Sequence, residues 1–198
     1  MKRTFDIVVS FLGLVVLSPL LLLVALVIKL ESSGPVLFRQ ERIGRGFHPF
    51  FIFKFRTMVP DPSGRGRLIT VSDDPRITRA GRLLRKTKID ELPQLINVLK
   101  GDMSLVGPRP EVRQYVGLFQ QDYEEILKIR PGMTDLASLK YRNEEAILGQ
   151  SGHLEEEYVK RVLPDKIRLA KDYLRHSSFV FDLRLVLMTL FKLFDYRI

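Results

Sequence analysis

From Ile7 to Ile28 the chain runs 22 residues without a charged side chain, dominated by Val, Leu, Ile and Phe. A hydrocarbon core takes roughly 20 helical residues to cross, so the length permits a membrane span. A cleaved secretory signal fits less well: the run exceeds the usual apolar region of about 7–15 residues, and no small-x-small site follows it. Two features argue against a simple crossing. Ser18-Pro19 sits near the middle. Proline supplies no backbone N–H, so the carbonyl of Val15 loses its helical donor. The Ser18 hydroxyl can make good part of that loss. A break there leaves halves of about 11 residues, roughly 17 Å each. In addition, Lys2 and Arg3 precede the run, while Lys29, Arg39, Arg42 and Arg45 follow it. Positive charge marks the cytoplasmic side. The expectation is a re-entrant helix, broken at Ser18-Pro19, that enters and leaves the same leaflet. On these residues alone a kinked transmembrane helix stays open.

The remainder, residues 34–198, reads as one soluble domain joined to the membrane element at 1–33. Its length suffices for a real core. The 198 residues carry a net charge of +9, which points to an anionic partner: nucleic acid, lipid headgroups or phosphorylated substrates. No recognised nucleic-acid motif is present, and most aromatics fall at core-like spacing, so nucleic acid is not expected. Cysteine is absent, which removes disulfides, zinc-thiolate sites and a cysteine nucleophile. The three histidines, His48, His153 and His176, lack metal-ligand spacing.

The fold class expected is α+β, dominated by helix. Val36–Phe38 and Phe50–Phe53 are β-prone and flank Gly44, Gly46 and Pro49, which predicts a small hairpin. As a strand, the following residues would put Lys54 and Arg56 on one face. Asp61 to Asp74, rich in Pro, Gly, Ser and Asp, reads as a loop. Arg79, Arg82 and Arg85 recur every third residue, predicting a helix with Leu83 and Leu84 turned inward. Val112, Tyr115, Val116, Phe119, Tyr123, Ile126 and Leu127 predict a core-facing helix that ends at Arg130-Pro131-Gly132. Leu154 to Arg175 reads as helix, broken or restarted at Pro164. Phe179 to Phe194 is apolar with polar interruptions; it suits an amphipathic helix in the membrane interface with basic residues near the headgroups, or a core helix.

The chemistry concentrates at Asp90-Glu91. Arg76, Arg79, Arg82, Arg85, Lys86 and Lys88 precede this pair, with no acid between Asp74 and Asp90. Such a cationic field gathers phosphates. A carboxylate pair within it can attack phosphorus, hold a divalent metal, or do both; a capping acid beside a basic helix face is the plainer account. Further on, two prolines bracket Arg109 in Gly107-Pro108-Arg109-Pro110 and hold it out of regular helix. A guanidinium presented this way suits bidentate phosphate recognition.

Taken in order, the broken apolar helix, Lys54-Phe55-Arg56-Thr57-Met58, Asp74-Pro75-Arg76, Arg85, Asp90-Glu91-Leu92-Pro93-Gln94, Gly107-Pro108-Arg109-Pro110 and Arg130-Pro131-Gly132-Met133-Thr134 resemble the monotopic phosphoglycosyl transferases, the bacterial initiating sugar transferases. The chain resembles their minimal catalytic members. The resemblance implies transfer of a sugar phosphate from a nucleoside-diphosphate sugar, a UDP-sugar being expected, to polyprenol (undecaprenyl) phosphate at the cytoplasmic face of the inner membrane. It implies Asp90 as nucleophile, Glu91 with Asp90 as the place for Mg²⁺, and Arg85 on a donor phosphate. Pro108, Arg109 and Pro110 would seat the nucleotide, with Lys54, Arg56 and Arg82 completing the basic cleft. Ser18 and Pro19 would make the membrane break.

One segment departs from the family pattern. Many relatives follow Arg-Pro-Gly-x-Thr with Gly-Trp-Ala-Gln-Val; here Asp135-Leu136-Ala137-Ser138-Leu139 stands in that place. Contacts made by the missing residues do not carry over. Two other functions compete with the covalent enzyme: metal-dependent transfer with direct attack by the lipid phosphate, and a membrane-tethered module that only binds anions. A homo-oligomer is left open.

Overall fold

The computed structural model describes residues 1–59, 69–71, 74–149 and 153–194. The loop read at Asp61–Asp74 lies mostly outside them. In chain order the elements are α1 (Lys2–Glu31), β1 (Leu37–Ile43), β2 (Pro49–Phe55), α2 (Arg79–Thr87), a 3₁₀ turn (Ile89–Glu91), α3 (Gln94–Lys100), β3 (Ser104–Val106), α4 (Arg113–Leu118) and α5 (Gln120–Ile126). They continue with β4 (Gly132–Thr134), α6 (Leu136–Lys140), α7 (Glu144–Gly149), α8 (Leu154–Glu157), a π turn (Tyr158–Val162), α9 (Leu163–His176) and α10 (Phe179–Phe194). The helix-dominated α+β class is as expected.

The apolar run forms α1, and its backbone stays helical through Ser18 and Pro19. The structure thus shows one helix across this point and does not show the expected break. Ser18 Oγ donates to the Val15 carbonyl at 2.7 Å, supplying the partner that Pro19 cannot. Along its whole length one stripe of α1 faces the body. Asp6, Ser10, Val24 and Ile28 are buried, and Leu14, Leu17 and Leu20 between them are half-buried. These positions recur at three- and four-residue intervals, the period of one helix face. The opposite face exposes Val8, Phe11, Leu12, Val15, Val16, Leu22, Leu23 and Leu26. The buried stripe thus includes Asp6 and Ser10, while the outward face is almost wholly apolar.

Both ends of α1 are fastened to the same body. At the N-terminal end Lys2 Nζ donates to Val106 O and to Tyr173 OH, and pairs with Asp182 of α10. Arg3 donates to the carbonyls of Val98 and Leu99, at the open end of α3. Asp6 accepts from Ser104 Oγ and the Leu105 N–H of β3. At the other end Val24 and Ile28 pack on Phe55 and Leu84. The Glu31 carboxylate receives the Arg79 and Ala80 N–H groups that open α2, where negative charge stabilises a helix.

The hairpin forms as expected, β1 pairing antiparallel with β2 from Leu37 opposite Phe55 to Ile43 opposite Pro49. The edge of β2 is covered by α3: Asn97 Oδ1 accepts from Phe53 N while its Nδ2 donates to Phe51 O. The second sheet is a short parallel pair, β3 with β4, Ser104 opposite Gly132 and Val106 opposite Thr134. Here two backbones touch. A Cβ on Gly132 would lie 2.1 Å from Gly107 N, so only glycine closes this contact.

Val112, Tyr115, Val116, Tyr123, Ile126 and Leu127 enter one core with α8–α9, as their spacing predicts, though the segment divides at Phe119 into α4 and α5. Pro164 neither breaks nor restarts the helix: the backbone stays helical from α8 through the π turn into α9, with Pro164 just past that turn. Leu84 is buried, but Leu83 points outward and is 62% exposed, a correction to the pairing expected of them. In α10, Asp182 and Leu185 are buried while Val180, Leu187, Leu190 and Phe191 are exposed. Lys192 turns back to donate to Leu139 O rather than standing clear of the body.

Candidate active site

Asp90 and Glu91 are presented by a sharp change of direction. Helix α2 ends at Lys88, which adopts the left-handed conformation (φ 60°, ψ 14°) and returns its N–H to Arg85 O. The 3₁₀ turn follows, and Pro93, with φ −60°, opens α3. The start of α2 is held as closely: Thr78 caps Gly81 N–H and donates its own N–H to Thr57 O. A Cβ on Gly81 would sit 2.1 Å from that Thr57 oxygen. Close approach of this kind brings Thr57 to Arg85, whose Nη1 donates to Thr57 Oγ1 at 3.2 Å.

Glu91 lies between two cations from different parts of the chain. Lys54 Nζ donates to its Oε1 at 2.7 Å, and Arg109 grips both oxygens, Nη1 reaching Oε2 at 3.1 Å and Nη2 reaching Oε1. Burial alone would raise the Glu91 carboxyl, but the charges of Arg109 and Lys54 outweigh it and hold the group well below the usual carboxylate range. Burial lowers the Lys54 ammonium against the pull of Glu91. Asp90 behaves oppositely. Burial, and then the neighbouring Glu91 charge, push its carboxyl up to about 6, against the pull of Lys54, Lys88 and Arg85. Two adjacent carboxyls are thereby separated in proton affinity, which divides their roles. Asp90 Oδ1 is buried with no hydrogen-bond partner, an acceptor that feels the charges of Lys54, Lys88 and Arg85.

Arg109 reaches Glu91 because its loop is anchored on both sides. Pro108 O accepts from Gly132 N, Gly107 N donates to Thr134 O, and Pro110 O accepts from Arg42 Nη1. Glu111, just beyond, is held by Arg42, Tyr158 and the Val112 N–H. The Gly-Pro-Arg-Pro and Arg-Pro-Gly-Met-Thr segments, with 19 residues between them in sequence, are thus one structural unit.

Of the candidates, Asp90, Glu91, Lys54, Arg85 and Arg109 come together. Arg56 does not join them: its Nη2 donates to Ser32 O and Ser32 Oγ at the C-terminal end of α1. Arg82 is exposed on α2. Three contributors were not singled out from sequence. Thr57 lay unremarked inside a basic-aromatic block. Glu145 of α7 pairs with Arg85 through both oxygens, with no local signal to foretell it. Asp135 caps α6, and an Asp just ahead of Leu-Ala-Ser-Leu is a cap signature that sequence could have offered.

Among the described residues no cluster of three or more His, Cys, Asp or Glu could hold a metal ion. Mg²⁺, however, commonly takes one or two carboxylates and fills the remaining positions with water and substrate phosphate. The free Asp90 oxygen beside Glu91 fits such an ion shared with a substrate; it does not fit one held by protein alone.

The outward apolar faces of α1 and α10 mark a membrane-associated protein, whose candidate site is a buried carboxylate pair among Lys54, Arg85 and Arg109. The chain belongs to the bacterial sugar transferase family, which matches residues 1–196. It is 42% identical over 200 residues to the exopolysaccharide production protein PSS of Rhizobium leguminosarum bv. phaseoli, covering 96% of this chain and 92% of that one. It is 43% identical over 191 residues to the UDP-glucose:undecaprenyl-phosphate glucose-1-phosphate transferase of Caulobacter vibrioides, covering 95% of this chain and 67% of that one. It is 46% identical over 143 residues to the UDP-N-acetylgalactosamine-undecaprenyl-phosphate N-acetylgalactosaminephosphotransferase of Aeromonas hydrophila, covering 70% of this chain but only 33% of the relative.

Proposed function

We propose that this protein is a phosphoglycosyl transferase that moves a sugar phosphate from a UDP-sugar to undecaprenyl phosphate, initiating polysaccharide or glycoconjugate assembly. The observation that carries the proposal is Asp90 Oδ1, buried and unpartnered within reach of the charges of Arg85, Lys54 and Lys88. The named activities of the Caulobacter and Aeromonas relatives support it. Because those two names specify different sugars, the sugar itself is not assigned.

In the first half-reaction Asp90 Oδ attacks the β-phosphorus of the donor. The bond from that phosphorus to the bridging oxygen breaks, nucleoside monophosphate leaves with the electron pair, and an aspartyl sugar phosphate remains. In the second, an oxygen of the lipid phosphate attacks the same phosphorus and Asp90 is released as carboxylate. Arg85 and Arg109 bind the anionic donor and stabilise charge as it develops on phosphoryl oxygens. Mg²⁺, held by Asp90 and Glu91, would withdraw negative charge from the donor phosphates. Lys54 keeps Glu91 ionised. Splitting the transfer spares the cleft from holding the soluble donor and the lipid phosphate together.

The membrane element is residues 1–33 and the catalytic body residues 34–198. We place both on the cytoplasmic side of the inner membrane in a monotopic arrangement, since each end of α1 is bonded to the one body. The test of the chemistry is intact mass after mixing with donor alone. A sugar-phosphate adduct at Asp90, nucleoside monophosphate release before lipid is added, and parallel-line kinetics are expected. Intersecting lines with no adduct would transfer the attack to the lipid phosphate, and no monophosphate release at all would leave only an anion-binding module.

A further inference from the structure

The segment that departs from the family pattern begins with Asp135, and the structure gives this residue two simultaneous tasks. Its side chain is buried, 2% exposed. One oxygen, Oδ1, accepts the Ser138 N–H at 2.6 Å and so caps α6. The other, Oδ2, accepts the backbone N–H of Arg109 at 3.1 Å. That N–H is the single backbone donor in the Pro108-Arg109-Pro110 sequence, because proline has none. Asp135 also places a negative charge close enough to favour the Arg109 cation.

We infer that Asp135 is a positioning residue for the reaction: it fixes the backbone of Arg109 so that the guanidinium meets Glu91 and the donor diphosphate in one orientation. The inference rests on the role given to Arg109 above. Two features make the tether consequential. First, a cavity of about 20 Å³ lies behind the loop, lined by Arg109, Glu111, Tyr123, Asp135, Ala137 and Lys166. It is room for about one water, so the backbone here is not closed off by packing alone. Second, the Arg109–Glu91 pair is bidentate, a geometry that tolerates little misplacement.

The dual acceptance separates capping from positioning. In Asp135→Asn the amide oxygen can still cap Ser138, and Asn caps a helix as well as Asp does. The amide nitrogen then faces the Arg109 N–H, donor against donor, and the tether is lost. Asp135→Ala loses both. The readouts are thermal midpoint, UDP affinity by calorimetry, and donor KM against kcat, measured on the full chain and repeated in the Arg109→Ala background. The expectation for Asp135→Asn is a midpoint close to wild type with UDP affinity and donor kcat/KM down about tenfold or more, the loss typical of a severed outer support. In the Arg109→Ala background the same substitution should add no further loss.

Wild-type UDP affinity and kinetics in Asp135→Asn, with damage confined to Asp135→Ala, would overturn the inference and leave Asp135 a helix cap. Additive losses in the double variant would overturn it as well. An Arg109→Ala protein that binds UDP like wild type would remove Arg109 from the donor site and Asp135 with it. Absence of turnover in wild type would instead defeat the transferase reading, with UDP affinity still deciding the tether.

Discussion

At the scale of single residues, the site places cost and chemistry on the same atoms. Holding Asp90 ionised in a buried position opposes folding, because its carboxyl stands near 6 against an ordinary 3.8. That difference corresponds to about 3 kcal/mol at pH values above 6. The folded state prefers the protonated form, so the penalty is absent below the ordinary value, grows as pH rises from about 4 to 6, and is complete above. In metal-free buffer Asp90→Asn should therefore be more stable than wild type at pH 8, with the gain vanishing toward pH 4, while turnover is lost. Melting both proteins across that range checks it; equal midpoints at pH 8 would contradict the burial cost. A second residue pair is open to test. Glu145 occupies the Nε–Nη2 edge of the Arg85 guanidinium, an edge that a donor phosphate would use. Arg85→Ala should reduce kcat about 100-fold or more, the loss expected when a charge-stabilising donor is removed. Glu145→Gln should lower the donor KM a few-fold, since phosphate no longer displaces a carboxylate. If Glu145→Gln is as damaging as Arg85→Ala, Glu145 supports Arg85 instead of competing for it.

At the scale of elements, the contact between β3 and β4 carries the architecture of the site, and it rests on two glycines. Gly132→Ala places a methyl 2.1 Å from Gly107 N and must separate the strands that hold Arg109 in place. A loss of more than about 2 kcal/mol is expected, as for other forced overpacking. Gly117→Ala is the control: it lies in α4, where a Cβ would meet nothing within 4 Å. Alanine there should be neutral or stabilising by up to about 1 kcal/mol, the helix propensity difference. Denaturant midpoints in detergent compare the two. Similar effects would mean that the strand contact is not tight.

At the scale of the whole molecule, α1 and α10 each bury acidic or hydroxyl side chains against the body and expose a broad apolar face, unlike a helix packed on a protein in water. Asp6 and Ser10 of α1 and Asp182 of α10 are buried, whereas Phe11, Val16, Leu22, Val180 and Phe191 are exposed. With both ends of α1 bonded to one body, Thr4 and Ser33 should lie on the same side of the membrane. The chain has no cysteine, so Thr4→Cys and Ser33→Cys each report one site. An impermeant thiol reagent added outside intact spheroplasts should label neither, and should label both after lysis. Labelling of Thr4→Cys from outside would establish a crossing helix.

The sequence by itself determined what depends on neighbours along the chain. Its uncharged run specified α1, glycines and a proline between β-prone runs specified the hairpin, and helical spacing identified Val112 to Leu127 as core. It also marked Asp90-Glu91 and the proline-locked Arg109, because those chemistries are written in adjacent residues. Pro19 removes a donor that the sequence alone marks, and the Ser18 hydroxyl takes its place at the Val15 carbonyl within a helical backbone. Only the tertiary structure decided which distant groups meet. Glu145 lies 60 residues from Arg85, and Arg56 was drawn from the site to the carbonyls ending α1. Asp135 found the Arg109 N–H 26 residues away. Local periodicity fixes where a side chain points relative to its own helix or strand, whereas these pairings follow from which element lies across from it once β3 and β4 have closed.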